Sequence, residues 1–139
     1  MISFFCEEVP YPSINLDRVT MWIENTVTDN NLVASDISII FCNDSYLLNM
    51  NQTYLKHNYF TDIITFDYSD AAYISGDLFI SLDRVYDNAK LFCVSFEQEL
   101  LRVVIHGILH LLGFNDKLEE EQKTMKSLEN YYLNLYQND

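Results

Sequence analysis

Two of the three histidines in this 139-residue chain, His106 and His110, stand four residues apart in the run His106-Gly107-Ile108-Leu109-His110-Leu111-Leu112-Gly113-Phe114-Asn115-Asp116. The residues around them are apolar at helical spacing, and on a helix positions i and i+4 share one face with Cβ atoms about 5–6 Å apart. Imidazoles so placed can converge on one ion at the usual zinc–nitrogen distance of about 2 Å. Gly113 reads as the helix stop, and the conformational freedom of glycine lets the chain turn so that Asp116 returns as an oxygen ligand. The spacing H-x3-H-x2-G-x2-D therefore predicts three protein ligands, His106, His110 and Asp116, and a fourth position open to water. An open position belongs to hydrolytic zinc rather than structural zinc, because water there has its pKa lowered to about 7.

A histidine pair alone on an apolar helix is commonly a pair of hydrogen-bonded core residues. Here the glycine and the aspartate at fixed spacing, and the scarcity of other partners for imidazoles in so apolar a helix, favour the metal reading. Two imidazoles and one carboxylate suit zinc, one per chain, better than magnesium; nickel, copper and iron share the ligand preference. His57, distant in sequence, is expected to be an ordinary loop residue. The spacing is similar to the metzincin protease motif, which makes a zinc metallopeptidase the competing reading. Position 107, however, is glycine where those enzymes carry the glutamate that serves as general base.

These ligands need a scaffold, and the composition supplies an ordinary one. Hydrophobic residues make up 49% and charged residues 21%, with three glycines, two prolines and no repeat or low-complexity tract, which predicts one domain over residues 1–139. The net charge of −13 opposes non-specific attraction to DNA, RNA or membranes, so any RNA must be held locally. Cys6, Cys42 and Cys93 lie in apolar segments without CxxC spacing and are expected to be reduced core residues of a cytoplasmic protein. The N-terminus, MISFFCEEVP, lacks the features of a signal peptide, and no segment has the length of a membrane span.

Strands are expected at Ile2 to Glu7, Asp36 to Cys42, Thr61 to Asp67 and Tyr73 to Ser81, from β-branched and aromatic runs bounded by turn residues. Gly76 marks a bulge or a close approach. Helices are expected from Asn15 through Val27, with Asn15 or Asp17 as cap, from Asn43-Asp44 through Tyr54, and over Leu82 to Leu91, Phe96 to Leu112 and Leu118 to Tyr136. The run Glu119, Glu120, Glu121 reads as a solvated helix start. The order predicts an α+β fold, a mixed four-stranded sheet packed with about five helices and a zincin-like metal helix, with α/β as the alternative.

HGILHLLGFND, His106 to Asp116, resembles the signature HGxLHLxGxDH of the YbeY family. Leu47 to Phe66 is similar to that family's LN-x-x-Y segment followed by a T-D-V-L-S-F strand, and Ser75 to Val85 to its G-D-I-x-I-S segment. The resemblance implies a metal-dependent single-strand endoribonuclease acting in 16S ribosomal RNA 3′-end maturation and ribosome quality control, with ribosomal RNA and a ribosomal protein or assembly factor as partners. Two departures stand out. Asp116 matches the position where the family commonly has a third histidine. Leu55 matches the arginine implicated in the family's ribonuclease activity, so a cation for the phosphate must come from elsewhere, with Lys56 and Arg102 as candidates. Tyr59 or Phe60 could stack on bases, and Glu99 or Asp77 could orient a ligand histidine. The loss of the arginine also favours a further alternative, a metal-binding ribosome-assembly factor with little nuclease activity.

Overall fold

A computed structural model describes residues 1–138 of the chain. Four strands, β1 (Ile2–Cys6), β2 (Val33–Cys42), β3 (Ile63–Asp67) and β4 (Tyr73–Ser81), form one sheet in the order β1-β2-β4-β3. β1 and β4 run parallel to β2, while β3 is antiparallel to β4, so the sheet is mixed and the fold is α+β. Five helices complete it: α1 (Leu16–Asp29), α2 (Asp44–Tyr54), α3 (Leu82–Phe92), α4 (Phe96–Leu111) and α5 (Glu119–Gln137).

Period-two alternation along β4 decides which face each helix covers. Ile74, Leu78 and Ile80 join the main core with Val19 and Ile23 of α1 and with Val104 and Ile108 of α4. Phe79 points the other way, into a smaller cluster with Leu47, Tyr46 and Met50 of α2. Each fully buried Leu or Ile contributes about 1.5–3 kcal/mol, and this main core fixes α4, the histidine helix, against the sheet. Gly76 proves to be a close approach: an added Cβ would lie 2.4 Å from the Phe66 carbonyl oxygen and 2.7 Å from Leu111 Cδ2. Gly107 has the same role, its missing Cβ leaving room for Ile63 Cδ1 at 2.7 Å and Leu78 Cδ2 at 2.9 Å.

Caps follow sequence chemistry. Asn15 accepts from Arg18 N at 3.0 Å, Asn43 from Tyr46 N at 2.8 Å, and Ser95 forms a capping box with Gln98. Glu121 accepts from Leu118 N at 2.9 Å, so the glutamate run does open α5. Two expectations need correction. β2 begins at Val33, three residues before the expected Asp36, because Ala34 and Ile37 continue pairing with β4 across a register irregularity. Cys93 is exposed, not a core residue; it caps α3 in a left-handed conformation, and only Cys42 is fully buried. No helix among the described residues is long and apolar enough to cross a membrane.

Candidate metal centre

His106 and His110 project from one face of α4, and Gly113, at φ +102, ends the helix so that the chain doubles back to Asp116. His106 Nε2 lies 3.0 Å from His110 Nε2, and Asp116 Oδ2 lies 3.3 Å from the first and 3.4 Å from the second. Donor atoms at the corners of a tetrahedral zinc site, each about 2.0 Å from the ion, stand about 3.3 Å apart. Three acceptor-capable atoms facing one another at that spacing repel unless a proton or a cation lies between them, so the residues fit a metal ion. All three sequence-predicted ligands are thus brought together.

The orienting carboxylate comes from an unexpected place. Glu129 of α5 accepts a hydrogen bond from His106 Nδ1 at 2.7 Å. A carboxylate has only acceptors, so Nδ1 carries the proton and Nε2 turns its lone pair toward His110 and Asp116. Glu129 is in turn clamped by Arg102 Nη1 at 2.9 Å, while Arg102 Nη2 donates to Asn130 Oδ1 at 2.8 Å. α5 is anchored by Trp22 Nε1 donating to the Tyr132 carbonyl at 2.8 Å and by the Tyr132 hydroxyl donating to Asp29 at 2.7 Å. Burial works to lower the His106 pKa; the hydrogen bond and charge of Glu129, with Asp116 and Asp62, outweigh it and hold the imidazole above its ordinary value. Proton and metal compete for Nε2, so metal affinity falls as the pH falls.

Asp77, on β4 opposite Phe66, does not take the orienting role. Glu99 does not take it either, but it is 4% exposed beside Arg102 and Glu129, lining a small cavity of about 120 Å³ behind His106. Burial, then the charges of Asp62 and Glu129 against that of Arg102, pushes its carboxyl up to about 7. The unfolded chain releases this proton near 4.5 while the folded one retains it, so stability falls as the pH rises from about 4.5 to about 7. Glu99→Gln is accordingly expected to raise Tm by a few degrees at pH 8 and to change it little at pH 4, as followed by thermal unfolding at both pH values. An equal shift at both would remove the titration as its cause.

The three ligand atoms face a cleft of about 560 Å³, lined also by Asn51, Leu55, His57, Tyr59, Asp62 and Asn115. Leu55, where the sequence departs from the family arginine, therefore lines the same cleft as the three ligand atoms. His57 is a loop residue, as expected, but the loop after α2 brings it into the lining of the cleft. It stacks on Tyr59 at 5.2 Å, and its Nδ1 is 3.0 Å from the Tyr59 hydroxyl. Phe60 lies under Arg84, 5.4 Å from its guanidinium carbon, outside the lining of the cleft. Lys56 adopts a left-handed conformation at φ 56 and does not line it either. Arg102 does not line the cleft and is committed to Glu129 and Asn130. Asp62, whose carboxyl burial raises, sits in the cleft beside the histidines.

Comparison with known proteins gives the chain's family. The family model described as Endoribonuclease YbeY matches residues 7–137. A protein of Parabacteroides distasonis named Endoribonuclease YbeY is 46% identical over 132 residues, covering 95% of this chain and 93% of its own length. One of the same name from Azobacteroides pseudotrichonymphae is 51% identical over 123 residues, 88% of each chain. The solution structure of a Thermotoga maritima protein superimposes with a TM-score of 0.73 at 27% identity, covering 98% of this chain and 89% of that one. With the family model spanning nearly the whole sequence and relatives near half identical along it, the chain belongs to the YbeY endoribonuclease family.

Proposed function

We propose that this chain, acting as one domain in the cytoplasm, is a zinc-dependent endoribonuclease that cuts single-stranded RNA, and that it serves in 3′-end maturation of 16S ribosomal RNA and in ribosome quality control. The observation that carries the reading is the triangle of His106 Nε2, His110 Nε2 and Asp116 Oδ2, with sides of 3.0 to 3.4 Å, facing an open cleft. The names of its relatives support RNA as the substrate class. When bound, zinc supplies Lewis-acid stabilisation of a phosphodiester and water of lowered pKa. His106 keeps its Nδ1 proton on Glu129 and so presents Nε2 as a donor of fixed direction; His110 and Asp116 complete the face. Asp62, its carboxyl held above the ordinary range chiefly by burial, is the group placed to take up and return a proton in the cleft.

The peptidase alternative loses support, because position 107 faces Ile63 and Leu78 in the core, and a glutamate there would displace packing rather than reach the cleft. The assembly-factor alternative has a specific observation behind it: among the described residues no lysine or arginine lines the metal cleft, and Leu55 stands in it. Zinc-loaded full-length protein should cut a single-stranded oligoribonucleotide carrying the precursor sequence at the 16S 3′ end, stop on chelation, resume on zinc addition and leave peptides intact. Asp62→Asn should lower kcat with zinc content unchanged. Peptide cleavage without RNA cleavage would establish the peptidase; zinc binding with neither activity would establish the assembly factor.

A further inference from the structure

A second cavity, of about 440 Å³, opens on the far side of the metal centre and shares His106 and Asp116 with the first cleft as a common wall. This volume lies within the range of small-molecule sites, roughly 300–1,000 Å³. Its character is the reverse of the first cleft's. Phe92 and Val94, on either side of the left-handed Cys93, and Met125 of α5 give it apolar walls. Phe92 is 58% exposed, presenting an aromatic ring that the fold itself does not use.

Charge separates the two sides as well. The first cleft is lined by Asp62 and Asp67 and, among the described residues, by no lysine or arginine, so its attraction for a phosphate rests on the charge of a bound metal ion. The second is also lined by Glu99, whose carboxyl burial pushes up to about 7, by the shared Asp116 and by Glu129, which Arg102 and His106 already cover; against these, Lys126 lines the cavity from an exposed position without an ion-pair partner among the described residues. On a chain of net charge −13, an uncommitted ammonium lining the same cavity as His106 and Asp116 is a local cation of the kind RNA binding requires. The Leu55 departure removes a cation from the first cleft, and Lys126 offers one on the other side.

We infer that the second cavity is a nucleotide subsite: one unpaired base of a single-stranded RNA inserts against Phe92 and Met125, and the phosphate beside it is held by Lys126. This rests on the nuclease reading and adds to it a direction for the strand, which crosses His106 and Asp116 from one cavity into the other. Stacking on an aromatic ring is tolerant of base identity, so the subsite selects an unstacked base rather than a sequence.

The test is equilibrium binding of a fluorescein-labelled single-stranded oligoribonucleotide to zinc-loaded full-length protein, by anisotropy, beside a cleavage assay. Phe92→Ala, at an exposed position, should weaken binding and raise KM roughly tenfold with kcat little changed. An oligonucleotide with one abasic site at the bound position should bind wild type and Phe92→Ala alike. Lys126→Gln should weaken binding and reduce the slope of log affinity against log salt by about one. Wild-type cleavage with unchanged affinity and KM in both variants overturns the subsite and leaves the nuclease reading intact. Phe92-dependent binding without cleavage supports the subsite and overturns that reading. Neither binding nor cleavage by the wild type overturns both.

Discussion

Replacing His106 by alanine is expected to remove the metal and to lower RNA cleavage by about 10³-fold or more, since the ion's charge stabilisation is worth several kcal/mol and each 1.36 kcal/mol is a factor of ten. The fold should survive. His106 is half-buried at the end of the main core rather than within it, and Glu129 keeps its bond to Arg102 at 2.9 Å when the imidazole is gone. Circular dichroism and thermal unfolding check the fold, single-turnover cleavage the chemistry. Cleavage within tenfold of the wild type in a folded variant would mean that α4 does not carry the reaction. The same variant in cells separates enzyme from assembly factor: ribosome maturation that persists without the metal site would favour the latter.

The second large effect is expected at Glu129, which touches no substrate and acts through His106. Carboxylates behind a ligand histidine typically contribute 10–100-fold to metal affinity. Glu129→Ala should reach the upper end, about 100-fold, because His106 Nδ1 loses its acceptor and Arg102 loses its ion-pair partner. Glu129→Gln keeps an amide oxygen that can accept from Nδ1 and loses only the charge, so the drop should be about tenfold. Competition with a zinc-binding dye measures both. A structural role alone would show as lower Tm with equal zinc affinity in both variants, and that result would deny Glu129 its positioning role.

Local features of this protein were legible in the sequence; features made by packing were not. The helix spacing of His106 and His110, the stop at Gly113 and the return to Asp116 lie within eleven residues, so backbone geometry alone sets their distances. The four strands and five helices were readable for the same reason, each being a short periodic run with its own caps. Glu129 is 23 residues beyond His106, and its contact is made by the packing of α5 on α4, with Trp22 of α1 holding α5 through the Tyr132 carbonyl. A sequence shows a glutamate on an amphipathic helix and nothing of its partner. His57 is in the same position, reaching the cleft through the way α2 packs on β3 and β4. Arg102 and His106 both reach Glu129, so the charge of Arg102 is engaged, whereas Lys126 lines the second cavity without an ion-pair partner among the described residues. Cys93 misleads by composition, since Leu91, Phe92 and Val94 around it look like core and are in fact exposed. An exposed apolar run of this kind is a sequence signal for a binding surface only when the fold shows what it adjoins.

Elemental analysis of untagged protein, loaded with zinc and then dialysed against metal-free buffer, decides whether His106, His110 and Asp116 hold an ion. The predicted result is about one zinc per chain in the native protein and far less in His106→Ala and Asp116→Ala. Equal zinc in all three proteins, or none in the native protein after loading, would contradict the metal centre and the hydrolytic chemistry built on it.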